Sequence, residues 1–148
     1  MVIKKLFLIF SVCLFLGSAQ SASAHLPRII YNQSDDVQIK DPQISQAFYD
    51  ELGGNPRNYL INSVTDFNLY INLLVPAYSN PNGKYSAKVF LIKDGNDEEI
   101  TFIDGQIDFL WQEFYEPFDR DYYFKGPEFE KTLSAGDYRI TVFSYENK

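Results

Sequence analysis

Chemistry in this chain must come from carboxylates, phenols and one imidazole. Its single cysteine, Cys13, lies in an amino-terminal apolar run, and its single histidine is His25. There is no Gly-x-Ser-x-Gly elbow and no phosphate-cradling glycine loop, so the usual nucleophile relays and nucleotide sites lack their residues. Paired carboxylates remain. Glu113 and Glu116, or Asp104 and Asp108, lie close to Trp111 in the sequence, and two carboxylates flanking the scissile bond of a sugar held beside a ring is how glycosidases work. A solvated acidic loop rich in rings accounts for the same residues. Hard oxygen donors also gather at Asp94, Asn96, Asp97 and Glu98, a composition suited to calcium. The spacing departs from the EF-hand loop, with Gly95 too early, and a polar hairpin tip explains these residues equally.

The imidazole takes its meaning from the leader. Lys4 and Lys5 precede an apolar run from Leu6 to Leu16, and small residues end at Ala22-Ser23-Ala24, the pattern of a secretory signal peptide over residues 1–24. The run falls short of the roughly 20 residues that a membrane-spanning helix needs, and nothing after Ala24 reads as a span. Cleavage there makes His25 the first mature residue. An amino group beside an imidazole chelates copper, and the pair resembles half of the histidine brace of copper-dependent polysaccharide oxidases. Such sites recruit a further histidine, which this chain lacks, so no cofactor is expected: calcium is the better metal candidate and copper the poorer.

Residues 25–148 make one domain with one core. The aromatic share of 17% rests on 13 Phe and 11 Tyr, residues that favour pleated, half-buried surfaces and are depleted from disordered segments. Net charge is −7, and losing Lys4 and Lys5 with the leader takes it to −9. A nucleic-acid partner is not expected, because phosphate binding needs a basic patch. With Cys13 gone the mature chain has no disulfide, and an apolar core must hold it together.

Alternation dominates the remainder. Short strands are predicted over Arg28–Asn32 and Val37–Lys40. Asp41 as cap, Pro42, the spacing of Ile44, Ala47, Phe48 and Leu52, and Gly53 as stop predict a short helix over 42–52. Tyr59–Val64 reads as a strand. Phe67, Leu69, Ile71, Leu73 and Val75 alternate through the longest period-two run and predict a central strand ending at Pro76. Further strands follow over Tyr85–Leu91 and Glu99–Ile103, with turns at 79–83 and 94–97. Phe129–Leu133, the turn at Ser134-Ala135-Gly136, and Tyr138, Ile140 and Val142 read as strand, tight turn, strand. Regular short strands between turn signals make an all-β, antiparallel β-sandwich of Ig-like or jelly-roll-like type.

Residues 104–125 break the alternation and are expected to form a long self-packing connection, with one helical turn around Leu110 to Phe114. Trp111, Phe114 and Phe118 are expected to plug the space between sheets. Tyr115, Tyr122 and Tyr123 suit exposure, since a phenol tolerates water at one end. Trp111, Tyr115, Tyr122 and Tyr123 are the candidate ligand-binding residues, and His25, Asp94, Asn96 and Asp97 the candidate metal ligands.

From Tyr59 onward the chain resembles the bacterial pre-peptidase C-terminal domain, a secreted β-sandwich appended to exported peptidases. The resemblance rests on Asn68-Leu69-Tyr70-Ile71-Asn72-Leu73, on Ala87 to Gly95, and on Phe129–Leu133, Ala135-Gly136-Asp137-Tyr138 and Ile140-x-Val142. Ser86-Ala87 stand where that family usually carries an acid, which weakens a carried-over calcium site. The family's last strand has no counterpart before Lys148, so the domain is expected to lack it. The resemblance implies a secreted module that binds glycan or protein at the cell surface or accompanies other envelope domains. The alternative is an enzyme or metal-binding protein, with copper at His25 or carboxylates near Trp111.

Overall fold

Period-two alternation organises the structure. The computed structural model describes residues 25–31, 36–80, 83–94, 96–117 and 119–145, and these form ten strands and no helix. In chain order the strands are β1 (Leu26–Ile29), β2 (Val37–Ile39), β3 (Gln46–Tyr49), β4 (Arg57–Ser63), β5 (Phe67–Pro76), β6 (Ser86–Lys93), β7 (Asn96–Ile103), β8 (Gln112–Glu116), β9 (Asp121–Leu133) and β10 (Gly136–Phe143). The expected leader and Phe118 lie outside the described residues. No described helix is long and apolar enough to cross a membrane.

Three sheets result. One has the order β2-β4-β10-β6-β7, the second β5-β9-β8, and the third pairs β1 with β3. The antiparallel expectation is corrected near the amino terminus, where β1 with β3 and β2 with β4 run parallel. Leu26 pairs with Gln46 and Val37 with Tyr59, separations long enough for the crossover that parallel neighbours require.

Short loops carry the chain between the two larger sheets. Residues 64–66 separate β4 from β5, and Ser134 and Ala135 separate β9 from β10, yet in each case the consecutive strands belong to different sheets. The turn at 134–136 is therefore a crossing and not a hairpin. Two hydrogen bonds fasten the crossings together: the Ala135 N–H donates to Asp66 Oδ1 at 3.1 Å, and the Tyr138 hydroxyl donates to the Ser134 carbonyl at 2.9 Å. The second is the corner device by which a buried tyrosine braces a turn between sheets. The Tyr138 ring also meets Phe67 edge-on at 5.5 Å.

One buried cluster draws on both sheets. Ile61, Val89, Ile103, Tyr138 and Ile140 come from the five-stranded sheet, and Phe67, Leu69, Leu73 and Leu133 from the three-stranded one. Each such side chain contributes about 1.5–3 kcal/mol by leaving water.

Three further expectations are corrected. The helix expected over 42–52 is instead a turn followed by β3. Helical spacing would bury Ile44, but that side chain is 53% exposed. A helix this short needs tertiary packing to persist, and here the packing favours extension: β1 takes the backbone bonds of β3, Phe48 meets Tyr59 edge-on at 5.3 Å, and Asp50 is drawn into a buried ion pair with Arg57. The Phe67–Pro76 strand keeps its expected alternation, with Phe67, Leu69, Leu73 and Val75 buried. It is an edge strand and not a central one, because the 13-residue β9 pairs with β5 on one side and β8 on the other. Lastly, the expected connection over 104–125 is a loop only to Trp111. Gln112 onward is a hairpin in which Phe114 faces Tyr123 and Tyr115 faces Tyr122 across the strands. These ring pairs stabilise extension where a helical turn was expected.

Candidate functional site

The loop leading into β8 is built on Ser86 and Asp104. The fully buried Ser86 hydroxyl donates to Asp104 Oδ1 and accepts from the Gly105 N–H and the Gln106 amide. Asp104 also accepts the N–H groups of Gln106 and Ile107, and these bonds hold its carboxyl below the ordinary carboxylate range. The turn so fixed aims Trp111 inward. Its indole N–H donates to the Gly105 carbonyl at 2.6 Å, Phe109 abuts it edge-on at 6.3 Å, and the ring packs against the core. Trp111 is thus half-buried with its polar handle satisfied.

The hairpin beyond carries the phenols. Tyr115 and Tyr122 are cross-strand partners with ring centroids 5.1 Å apart at an interplanar angle of 55°. Tyr78, from the turn after β5, stands edge-on to Tyr122 at 6.4 Å and 86°. The three rings are 80% (Tyr78), 45% (Tyr115) and 40% (Tyr122) exposed, so they form one contiguous aromatic surface. The Ala77 N–H donates to the Tyr122 carbonyl at 2.9 Å and ties the two segments.

Tyr123 behaves differently from its neighbours. It points to the other face of β9, is buried, and donates its hydroxyl to Asp119 Oδ2 at 2.5 Å. Tyr49 of β3 donates to the same oxygen at 3.2 Å. Burial first, and the Asp119 charge and bond next, push both phenols above their ordinary pKa. Of the four candidate binding residues, the structure brings Tyr115 and Tyr122 together on the surface and places Trp111 and Tyr123 in supporting positions. Tyr78, Tyr49 and Asp119 were missed by sequence reasoning. Tyr78 lies far from the hairpin in sequence, and only the β5–β9 pairing delivers it.

The other candidates do not converge. Glu113 and Glu116 are three apart on β8 and so leave opposite faces. Asp104 is committed to its own turn. Among the described residues no three of His, Cys, Asp and Glu are grouped to hold a metal. At the β6–β7 tip the Asp97 carboxylate is engaged by Arg139 and that of Glu98 by Lys93. Asp94 and Asn96 flank that tip. His25 is exposed, with Nδ1 at 2.5 Å from Ser45 Oγ.

Compared with known proteins, the chain matches no family model, no curated protein and no solved structure. Its class therefore rests on its own geometry: among the described residues, an all-β chain of three sheets that displays tyrosines at one hairpin.

Proposed function

We propose that this chain is an exported, non-catalytic module that binds a glycan of the cell envelope through Tyr78, Tyr115 and Tyr122, on a scaffold in which the five- and three-stranded sheets face each other as a β-sandwich. One observation carries the reading: three exposed phenols in ring contact, backed by a fourth that is immobilised. Contiguous exposed aromatic surface marks an interaction site, and phenols offer an apolar face to sugar C–H groups and a hydroxyl to sugar oxygens. The angles of 55° and 86° between the touching rings make a shallow notch, against whose outer faces a pyranose can lie. The Tyr123–Asp119–Tyr49 bonds behind it hold the notch in shape. The likeness of β9 and β10 to the pre-peptidase C-terminal domain supports an accessory role beside other envelope proteins.

The test is retention of the processed chain on insoluble cellulose, chitin and peptidoglycan. At least one polymer should retain it, and Tyr115→Ala and Tyr122→Ala should each weaken retention about tenfold, the scale of one ring contact, while lowering stability by no more than about 1 kcal/mol, the scale of one cross-strand pair. Equal retention of wild type and variants, or none on any polymer, overturns the glycan reading.

A further inference from the structure

A second cluster is built around Glu128, on the opposite side of the three-stranded sheet from its core. Cross-strand register sets Asn72 against Glu128 and Tyr70 against Glu130, so these side chains leave one face together. Three donors converge on a single carboxylate oxygen: Lys125 Nζ at 2.7 Å, Asn72 Nδ2 at 2.8 Å and the Tyr70 hydroxyl all meet Glu128 Oε1. These bonds, that of Lys125 foremost, hold the Glu128 carboxyl down at about 2, so it is ionised across the physiological range. All three bonds go to Oε1, and the side chain is partly exposed, so Oε2 faces outward. Asn72 Oδ1, buried behind it, has no donor among the described residues.

Beside this carboxylate the register of β5 and β9 shifts between Asn72 and Leu74, and the irregularity at Gly126-Pro127 opens a depression of about 330 Å³. Phe109, Gln112, Lys125, Gly126, Pro127 and Glu128 line it. Its contents are specific: a carboxylate fixed through one oxygen, an ammonium, an exposed carboxamide and an aromatic ring. The Lys125 and Glu128 charges cancel locally, which disfavours a charged ligand and suits a neutral one rich in hydroxyls. A volume at the lower end of the ligand-site range suits one ring and not a chain of them.

We propose that this depression is a saccharide subsite, separate from the tyrosine notch, that takes one neutral hexose by adjacent hydroxyls. One hydroxyl donates to Glu128 Oε2, its neighbour accepts from Lys125 Nζ, the Gln112 amide serves a third, and Phe109 covers a C–H face. Hexose as the probe rests on the glycan reading above; the hydroxyl-binding geometry does not. Lys125 lies three positions along β9 from Tyr122, so the two side chains leave opposite faces of the sheet and the two sites are separate.

The experiment is a nitrogen-15 chemical-shift titration of the processed chain with methyl β-glucopyranoside, methyl α-mannopyranoside and methyl β-galactopyranoside, using 1,4-butanediol as a control without adjacent hydroxyls. At least one glycoside should give saturable shifts at the Gln112 side-chain amide and at the Lys125, Gly126 and Glu128 N–H groups, and butanediol none. Glu128→Gln and Gln112→Ala should each raise the dissociation constant tenfold or more, and Tyr115→Ala should leave it unaltered. Silence at these signals with all three glycosides overturns the subsite even if polymer retention depends on Tyr115. So does a dissociation constant that Glu128→Gln and Gln112→Ala leave within twofold. Saturable glycoside shifts here without polymer retention would instead overturn the tyrosine reading and leave the subsite standing.

Discussion

The indole of Trp111 lies directly against Gly126: a β-carbon added at position 126 would sit 2.5 Å from Cη2 and 2.7 Å from Cζ3. The loop before β8 is thereby seated on the middle of β9, and only a residue without a side chain permits the approach. Gly126→Ala is expected to destabilise the chain by about 1–3 kcal/mol through overpacking. Trp111→Leu should cost about as much by leaving space. Because the two residues touch, the double variant should lose less than the two losses added, a shortfall that urea-unfolding midpoints will measure.

A different kind of cost attaches to Asp50. Its carboxylate receives Arg57 Nε at 2.8 Å and the Tyr59 hydroxyl at 2.9 Å, and both members of the ion pair are more than nine-tenths buried. Removing one partner strands a buried charge, so Asp50→Ala should cost about 3–5 kcal/mol. The exposed Lys88–Glu99 pair at 2.9 Å gives the contrast: Glu99→Ala should stay within about 1 kcal/mol of wild type. Chemical denaturation of both variants reads the difference.

Tyr138→Phe isolates the corner bond. The ring stays in the core against Phe67, and only the bond to the Ser134 carbonyl is lost. The expected penalty is about 0.5–1.5 kcal/mol. Native-state hydrogen exchange should show faster exchange at the Ala135 N–H, which shares this crossing through Asp66. An unaltered rate there would mean that the corner does not brace the crossing.

Phenol titration offers a probe of the Glu128 cluster. Burial first, then the bond to Glu128, pushes Tyr70 up to about 12 from the ordinary 10.0. The folded state therefore holds this proton more tightly: the stabilisation is complete below pH 10 and is lost as pH rises through about 12. Glu128 has the opposite sign, with stabilisation complete above the ordinary 4.5 and lost as pH falls through about 2. Followed by phenolate absorbance, Tyr70→Phe should remove one late-ionising group, and Glu128→Gln should move that group partway back toward 10.

Much of the scaffold was legible in local pattern. The alternation from Phe67 to Val75, the stops at Pro76 and at Ser134-Ala135, and the strands around Val89 and Ile140 follow from side-chain period and backbone sterics, which each residue carries wherever it lies. The segment over 42–52 was misread for the same reason. Its caps and spacing favour a helix locally, and only contacts from outside the segment, with β1 some twenty residues before it and with Arg57 and Tyr59 just after it, pull it straight. The hairpin over 112–125 escaped because Pro117 and crowded rings obscure alternation, whereas the pairing of Tyr115 with Tyr122 is a relation between strands.

From the chain alone came the all-β character, the lack of any cysteine after Cys13, and the tyrosines worth attention. Tertiary structure alone decided that β9 and β10 part company into different sheets, that Tyr78 joins Tyr115 and Tyr122, and that Glu128 collects Lys125, Asn72 and Tyr70. Composition and period are properties of neighbours along the backbone. A site is a property of neighbours in space, and register between strands, which sets those neighbours, depends on which sheet each strand finally joins.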